Sequence, residues 1–269
     1  MNIDEEIKRI EEEIRKTQYN KATEHHIGRL KAKLARLKEM KESSKKGSGK
    51  VQGVKKSGNA MVSIVGYPSV GKSTLFTKLT NKESEIGDYD FTTINIIPGM
   101  MEHKNAKIQI LDLPGLIEGA QDGRGRGKEV LSVIRISDLV VIVTDVNKPD
   151  PYPIIKILED SGIRLNRKKP NISLIKKDRG GLNIQYTVPQ DLDDELIREI
   201  IREFRIVNAD VIIRDRIDVN DLIDFLSGNR SYVKAIFVLN KIDEDPGFVE
   251  SQTFKELNEK YNFIVISAK

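Results

Sequence analysis

Residues 66–73 read GYPSVGKS and lie between the β-branched run AMVSIVG at 60–66 and the helix-forming run TLFTKL at 74–79. This is the G-x-x-x-x-G-K-[ST] pattern, in which glycines let successive backbone N–H groups face phosphate oxygens at a helix N-terminus. We expect Lys72 to reach the β- and γ-phosphates and Ser73 to bind Mg²⁺. The predicted phosphate-binding residues are Gly66, Tyr67, Pro68, Ser69, Val70, Gly71, Lys72, Ser73 and Thr74.

A second candidate motif, Asp112-Leu113-Pro114-Gly115, ends the apolar run KIQILDL at 107–113. In a parallel sheet this places a carboxylate at the carboxyl edge, beside the phosphate loop. We expect Asp112 to hold Mg²⁺ through water and Gly115 N–H to contact a γ-phosphate. Loss of that phosphate would then release the Gly-rich segment 119–127.

Two further strand ends carry candidate base-recognition residues. Asn240-Lys241-Ile242-Asp243 follows the run KAIFVLN, and Ser267-Ala268-Lys269 closes the chain. The Asp243 carboxylate accepts from guanine N1–H and its exocyclic amine, a donor pair that adenine lacks, so GTP is favoured over ATP. We expect Lys241 to lie along the base plane, Asn240 to tie its loop to the phosphate loop, and Ala268 N–H to reach guanine O6.

The segment Tyr89-Asp90-Phe91-Thr92-Thr93-Ile94 lies between the first two motifs. A GTPase needs one threonine hydroxyl that closes over Mg²⁺ and the γ-phosphate. This loop offers a pair of threonines without a helical pattern, and the residues themselves leave Thr92 and Thr93 both open.

Composition excludes several classes of protein. The chain has 269 residues, 38% hydrophobic and 32% charged, which is enough for one large or two smaller domains. It has no cysteine, so disulfides and thiolate metal sites are excluded, and only His25, His26 and His103 could serve as imidazole ligands or bases. No apolar run is long enough for a membrane span and the N-terminus is acidic, so we expect a cytoplasmic protein with neither a membrane nor a DNA partner.

The pattern predicts an α/β fold with a mostly parallel sheet, built from near-continuous apolar strands that alternate with helices. Spaced isoleucines and leucines predict an N-terminal helical hairpin, followed by a Gly/Ser/Lys linker, over 1–58. We expect the main domain at 59–161 and 231–269, interrupted by a β-β-α-β-α insertion at 162–230. Residues 1–60 carry 16 Lys or Arg against 9 Asp or Glu, and this basic end suits either a polyanion such as RNA or a solvated helical surface.

Taken in order, GYPSVGKS, DFTT, DLPG, NKID and SAK resemble the five guanine-nucleotide motifs of translation-factor-class P-loop GTPases. DLPGLIEGA with DFTT resembles the Obg superfamily. TQYNKATEHHIGRLKAKLARLK with GYPSVGKSTL resembles the developmentally regulated GTP-binding proteins of archaea and eukaryotes. The resemblance implies a GTPase domain with an N-terminal helical domain and an insertion similar to domain 2 of ribosomal protein S5. It favours Thr93 over Thr92, and it implies links to ribosomes and to a regulatory protein partner.

The chain departs from related patterns in two places. It stops at Lys269, where family members continue into a last helix and a TGS domain, so we expect a fragment. Leu116 follows DLPG where Ras-like enzymes carry the Gln that orients water, so unassisted GTP hydrolysis should be slow. In related GTPases K⁺ can assist with the help of a phosphate-loop Asn, but Ser69 stands at that position. Arg124 and Arg126 are alternative charge donors.

Two functional hypotheses follow. The first is a slow, Mg²⁺-dependent GTPase switch that hydrolyses GTP to GDP with ribosomes in translation, in which Lys72, Thr93 and Gly115 are the catalytic group and Ser73, Thr93 and Asp112 hold the metal. The second is a ribosome- or RNA-binding module whose nucleotide site is mainly structural, which Leu116 favours. An ATPase is opposed by Asp243.

Overall fold

The computed structural model describes residues 3–18, 20–44, 56–80, 96–113 and 126–269. The chain divides into two units. One comprises the described parts of Val51–Arg167 and Ser231–Lys269, here called the sheet unit; the other comprises those of Met1–Lys50 and Lys168–Arg230, here called the hairpin unit. Most of the predicted linker, residues 45–55, lies outside the described residues.

The sheet unit is a seven-stranded sheet with helices between its strands. Its strands are β1 Ala60–Gly66, β2 Ile97–His103, β3 Ala106–Asp112, β4 Leu139–Asp145, β5 Ile163–Leu165, β9 Ser231–Asn240 and β10 Ile264–Val265. Its helices are α3 Lys72–Leu79, α4 Arg126–Ile136, α5 Tyr152–Asp160 and α8 Gln252–Tyr261, with a 3₁₀ turn at Pro246–Glu250. The strand order is β10-β9-β4-β1-β3-β2, with β5 paired to β9.

Alternating residues of the central strands bury both faces of this sheet. In β4, Val140 and Ile142 belong to one hydrophobic core, while Val141 and Val143 belong to another. Helices α4 and α5 contribute to the first core, and Phe76 of α3 contributes to the second. Burial on both faces explains why the strands read as unbroken β-branched runs. The predicted α/β fold with a mostly parallel sheet is confirmed.

Two strands do not follow from the apolar runs. β2 pairs antiparallel with β3 at the sheet edge and contains Pro98 and Gly99. An edge strand tolerates Pro because one side of it makes no ladder hydrogen bonds. The three-residue β5 pairs parallel with Ser231–Val233 and so belongs to the sheet unit. The inserted segment therefore begins at Lys168 and not at the expected residue 162.

The hairpin unit combines the N-terminal helices with the inserted segment. Its elements are α1 Ile3–Lys16, α2 Glu24–Ser44, β6 Ile172–Lys176, β7 Leu182–Tyr186, α6 Asp194–Glu203, β8 Ala209–Ile213 and α7 Val219–Ser227. β8 is the central strand, antiparallel to β6 and parallel to β7. The core joins strand residues such as Val211 to Leu196 and Ile200 of α6, and to Ala32 of α2. The hairpin and the insertion therefore share one core and form one unit, although the sequence pattern predicts 1–58 and 162–230 as two segments.

Oppositely charged side chains join the two helices of the hairpin. Lys33, Lys38 and Lys41 of α2 lie within 4 Å of carboxylates on α1, and His26 Nε2 lies 3.0 Å from Glu13 Oε1. The α1 partners of the three lysines are Glu6, Glu11 and Asp4. Much of the positive charge of α2 is thus balanced within the hairpin. Among the described helices, none is both long and apolar enough to cross a lipid bilayer.

Candidate nucleotide-binding site

The phosphate loop connects the end of β1 to the start of α3, as predicted. Ser69 and Gly71 both have left-handed backbones, with φ of 61° and 89°. A Cβ on Gly71 would lie 2.4 Å from Asn240 Nδ2, and a Cβ on Gly66 would lie 2.3 Å from the carbonyl oxygen of Val143. The loop therefore needs glycine at both positions: at Gly66 for close backbone approach, and at Gly71 for conformation as well.

Lys72 and Ser73 lie at the first turn of α3. The Lys72 ammonium donates to the carbonyl oxygens of Tyr67, at 2.7 Å, and Gly66, at 3.3 Å. The Lys72 side chain is thus held across the loop that it follows. Ser73 Oγ donates to Asp112 Oδ2 at 2.7 Å. Asp112 ends β3, beside β1 in the parallel register, and is 7% exposed.

The Ser73–Asp112 pair fits a hard divalent cation. A hydroxyl and a carboxylate oxygen that already lie within hydrogen-bond distance are oxygen donors of the type that Mg²⁺ prefers, and Mg²⁺ in such sites usually takes its other ligands from water and phosphate. Among the residues described, no group of three or more His, Cys, Asp or Glu side chains could hold a metal by itself. A cation here would thus depend on nucleotide oxygens as well as on Ser73 and Asp112.

Asn240 links three parts of the site. Its Nδ2 donates to the carbonyl oxygen of Val70 at 2.8 Å, and its Oδ1 accepts from Ala268 N–H at 2.9 Å. The Asn240 side chain is buried, with 1% of the residue exposed. The predicted link to the phosphate loop is present. The Ala268 N–H, which we expected to reach guanine O6, is used within the protein because the buried Asn240 oxygen needs a donor.

Asp243 lies at the surface beside the closing tripeptide. Ser267 Oγ donates to its Oδ1 at 2.7 Å, and Lys269 Nζ donates to its Oδ2 at 2.6 Å. These bonds, the one from Lys269 first, hold the pKa of Asp243 below its usual value. An ionised carboxylate has about four acceptor positions, so Asp243 can accept from a base while it keeps a bond to Ser267.

The loop after β4 also joins the site, and the motifs did not reveal it. Asp145, the last residue of β4, lies opposite Asn240 in the parallel register with β9, and its Oδ2 is 3.3 Å from Lys241 Nζ. Further along, the Tyr67 hydroxyl donates to the carbonyl oxygen of Asp150 at 2.9 Å. Burial first, and then the charge of Asp150, raises the pKa of Tyr67. A sequence signal did exist, because Asp145 ends an apolar strand in the same way as Asp112.

Several predicted residues fall outside the described part of the chain. They are Thr92 and Thr93, Pro114, Gly115, Leu116 and Arg124, together with the side chain of Arg126. The predicted site residues that the structure describes come from the ends of β1, β3, β9 and β10, and Asp145 adds the end of β4. The structure brings the phosphate loop, Asp112, Asn240 and the closing tripeptide together at the carboxyl edge of one sheet.

Comparisons with known proteins place this arrangement in a family. The profile described as 50S ribosome-binding GTPase matches residues 61–177, and the profile of the C-terminal region of that domain matches 179–269. An uncharacterized GTP-binding protein of Methanocaldococcus jannaschii is 52% identical over 90% of this chain and 63% of its own length. Ribosome-interacting GTPase 1 of Saccharomyces cerevisiae is 51% identical over 89% of this chain and 67% of its own.

A third relative settles the family. Developmentally-regulated GTP-binding protein 2 of Mus musculus is 45% identical over 99% of this chain and 74% of its own length. The chain spans 63% of the length of the archaeal relative, so the activity of the whole protein is a separate question. The match extends over hairpin, insertion and sheet unit, since it covers almost all of the sequence. This chain belongs to the developmentally regulated GTP-binding protein family.

Proposed function

We propose that this chain binds GTP and GDP in preference to adenine nucleotides and hydrolyses GTP to GDP and phosphate, as a Mg²⁺-dependent switch. The bridge that Asn240 makes from the phosphate loop to the closing tripeptide carries this proposal. In this proposal the bridge keeps the turn that would bind phosphate and the loop that would bind the base at one sheet edge, where parallel α/β sheets bind their ligands.

The described side chains have separable roles in this proposal. Lys72 would exchange its carbonyl acceptors for the β- and γ-phosphates, an exchange favoured because charged acceptors bind an ammonium more strongly than neutral ones. Ser73 and Asp112, with Thr93, would hold Mg²⁺, which supplies charge neutralisation at the phosphates when bound. Gly115 N–H would contact the γ-phosphate. Asp243 would select guanine.

Turnover should be slow without assistance. Leu116 has no polar group that could orient the attacking water, and the matching phosphate-loop position for K⁺ assistance holds Ser69 in place of Asn. Ser69 still offers a hydroxyl oxygen at that position, and oxygen is the ligand type that such cations take. We therefore propose K⁺ as the alternative cofactor to be tested, beside a charge supplied by Arg124 or Arg126.

A role with ribosomes is the finer part of the proposal. Relatives include a protein named ribosome-interacting GTPase, and the matching profile is named for 50S binding. The distribution of charge along residues 1–60 also bears on RNA binding. Residues 1–44 carry 11 basic and 9 acidic side chains, whereas residues 45–60 carry five lysines and no acid. Since Lys33, Lys38 and Lys41 of α2 are paired with α1, we propose that the linker lysines, rather than the hairpin, contact RNA. A regulatory protein partner is proposed from the family alone.

Single-turnover GTP hydrolysis tests the proposal. The chain is loaded with GTP and Mg²⁺, in K⁺ and then in Na⁺, and phosphate release is followed beside titrations of GTP, GDP and ATP. Guanine-selective binding with slow turnover supports the switch, and faster turnover in K⁺ supports ion assistance. Guanine-selective binding without turnover in either salt supports the binding module. Lys72→Ala is the control, and it should lose nucleotide affinity because the Lys72 ammonium is the group expected at the β- and γ-phosphates.

A further inference from the structure

The sheet edge carries one buried acid that the five motifs leave unexplained. Asp145 is 5% exposed and ends β4, directly opposite Asn240 in the register between β4 and β9. A buried carboxylate is costly unless charges and hydrogen bonds compensate it. Its partners therefore indicate why an acid stands at this strand end.

The two oxygens of Asp145 have different partners. Oδ1 accepts from the backbone N–H groups of Asn147, at 3.1 Å, and Lys148, at 2.9 Å. This turn fixes the orientation of the carboxylate. Oδ2 is left facing Lys241 Nζ at 3.3 Å. One oxygen thus anchors the side chain, and the other binds the lysine of the base-recognition loop.

Lys241 is held at both ends. Its backbone is left-handed, with φ of 60°, so its side chain leaves the loop in a direction set by the turn after β9. Its ammonium has a second acceptor, Glu244 Oε1, but at 3.7 Å, and the Glu244 side chain is 37% exposed against 7% for Asp145. An exposed pair at that distance contributes little. The buried, oriented partner is Asp145.

We infer that Asp145 is a positioning residue for guanine recognition: by fixing the Lys241 ammonium, it holds the four-carbon stem of Lys241 in place as an apolar surface against the base. A free lysine stem would lose rotamer entropy when a base packs on it, on the order of 1–2 kcal/mol for a long side chain. The pair with Asp145 imposes that loss during folding, so binding does not incur it. The inference rests on the proposed guanine site.

Asp145→Asn separates the two oxygens. The amide oxygen can still accept from Asn147 and Lys148 N–H, so the turn is kept, while the amide NH₂ cannot accept from an ammonium. We expect the Kd for GTP and for GDP to rise together by about ten-fold, the size of a lost contact coupling. The ratio of GTP affinity to ATP affinity should stay within about two-fold of the wild-type ratio, because Asp243 supplies that selectivity.

The matched control is Asp160→Asn, the same change at the last residue of α5. The Asp160 side chain is exposed and is not among the residues of the nucleotide site. Its effect on the GTP affinity should be less than about two-fold, as for surface substitutions in general. A ten-fold loss in this control would show that removing any acid from the sheet unit weakens binding, and it would overturn the inference.

A double-mutant cycle with Lys241→Met gives the decisive readout, because methionine keeps an apolar stem and removes the ammonium. If Asp145 acts through Lys241, Asp145→Asn will cost nothing further in the Lys241→Met background. The inference would be overturned if the two substitutions raised the Kd for GTP by independent factors that multiply in the double variant. It would also be overturned if Asp145→Asn alone bound GTP with the wild-type affinity. Failure of the proposed function would look different, because the chain would then bind ATP as well as it binds GTP, both with Asp and with Asn at position 145.

Discussion

Asn240 Nδ2 lies 2.8 Å from the carbonyl oxygen of Val70, a residue 170 positions earlier in the chain. This hydrogen bond is buried and joins the end of β9 to the phosphate loop. The other end of the same amide accepts from Ala268 N–H. One side chain therefore joins the predicted phosphate-binding loop to the predicted base-binding tripeptide.

Asn240→Ala should lower both stability and nucleotide affinity. It leaves the Val70 oxygen and the Ala268 N–H without their partner in a buried place, and each such group costs about 1–3 kcal/mol. We expect the free energy of unfolding to fall by about 2 kcal/mol or more in a denaturant titration. As a control, Asn147→Ala removes a 3.3 Å bond to Glu244 at the surface and should cost under about 0.5 kcal/mol. Equal losses in the two variants would refute the bridging role.

Gly71→Ala should weaken nucleotide binding strongly, for two reasons. The φ of 89° is unfavourable for alanine, and the new Cβ would lie 2.4 Å from Asn240 Nδ2. Gly180→Ala is the control for backbone strain away from the site, because Gly180 has a φ of 106° with nothing within 4 Å of the added Cβ. Strain alone should cost about 1–3 kcal/mol at either site. We expect GTP affinity to fall at least about 100-fold in Gly71→Ala and to be unchanged in Gly180→Ala, measured by titration calorimetry.

Protonation of Asp138 should contribute to the loss of stability of the sheet unit at low pH. Bonds from Lys56 Nζ, at 2.8 Å, and from Met61 N–H, at 2.7 Å, lower the pKa of Asp138, that from Lys56 most. A lowered pKa in the folded state stabilises it above the unfolded value, near pH 4, and this stabilisation is lost as the pH falls through the folded value. Thermal unfolding between pH 6 and pH 2 should show a smaller decline in Asp138→Asn than in the wild type. Parallel curves would contradict the assignment.

Replacing the linker lysines with glutamine should weaken RNA binding without affecting GTP. The residues are Lys45, Lys46, Lys50 and Lys55; the fifth linker lysine, Lys56, is left in place because it is paired with Asp138. If all four contact phosphates, the slope of log K against log salt for a generic RNA should fall in magnitude by about 3. A matched control replaces four paired hairpin lysines, which should lower thermal stability and leave the slope unchanged: Lys16, Lys33, Lys38 and Lys41. A larger change in slope in the control than in the linker variant would show that the hairpin lysines contact the RNA.

The strands and the phosphate loop could be predicted because their signals are local. AMVSIVG is β1 to the residue, since a strand buried on both faces needs an unbroken apolar run. The Asn240 link was also predictable from the order of the motifs. Each of these depends on a short segment and on the rule that parallel strands end at one sheet edge.

The remaining features depend on contacts between distant segments. The spaced apolar residues that predict the second hairpin helix are Ile27, Leu30, Leu34 and Leu37, but the buried positions of α2 also include Gly28 and Ala32. Gly28 packs so closely on Leu196 that a Cβ would lie 2.9 Å from its side chain. A small residue in the sequence indicates close packing between two helices only when the facing helix is already known. Asp145 was missed for a similar reason, because its role appears only in its distance from Lys241.

The central claim, that Asp243 selects guanine at this site, is tested most directly by titrating the wild type and Asp243→Asn with GTP and XTP in Mg²⁺. Asparagine offers an NH₂ donor, which suits the carbonyl that xanthine carries in place of the guanine amine. We expect the wild type to prefer GTP and Asp243→Asn to prefer XTP, each by at least about 100-fold. Unchanged GTP preference in Asp243→Asn, with XTP still bound weakly, would contradict the account.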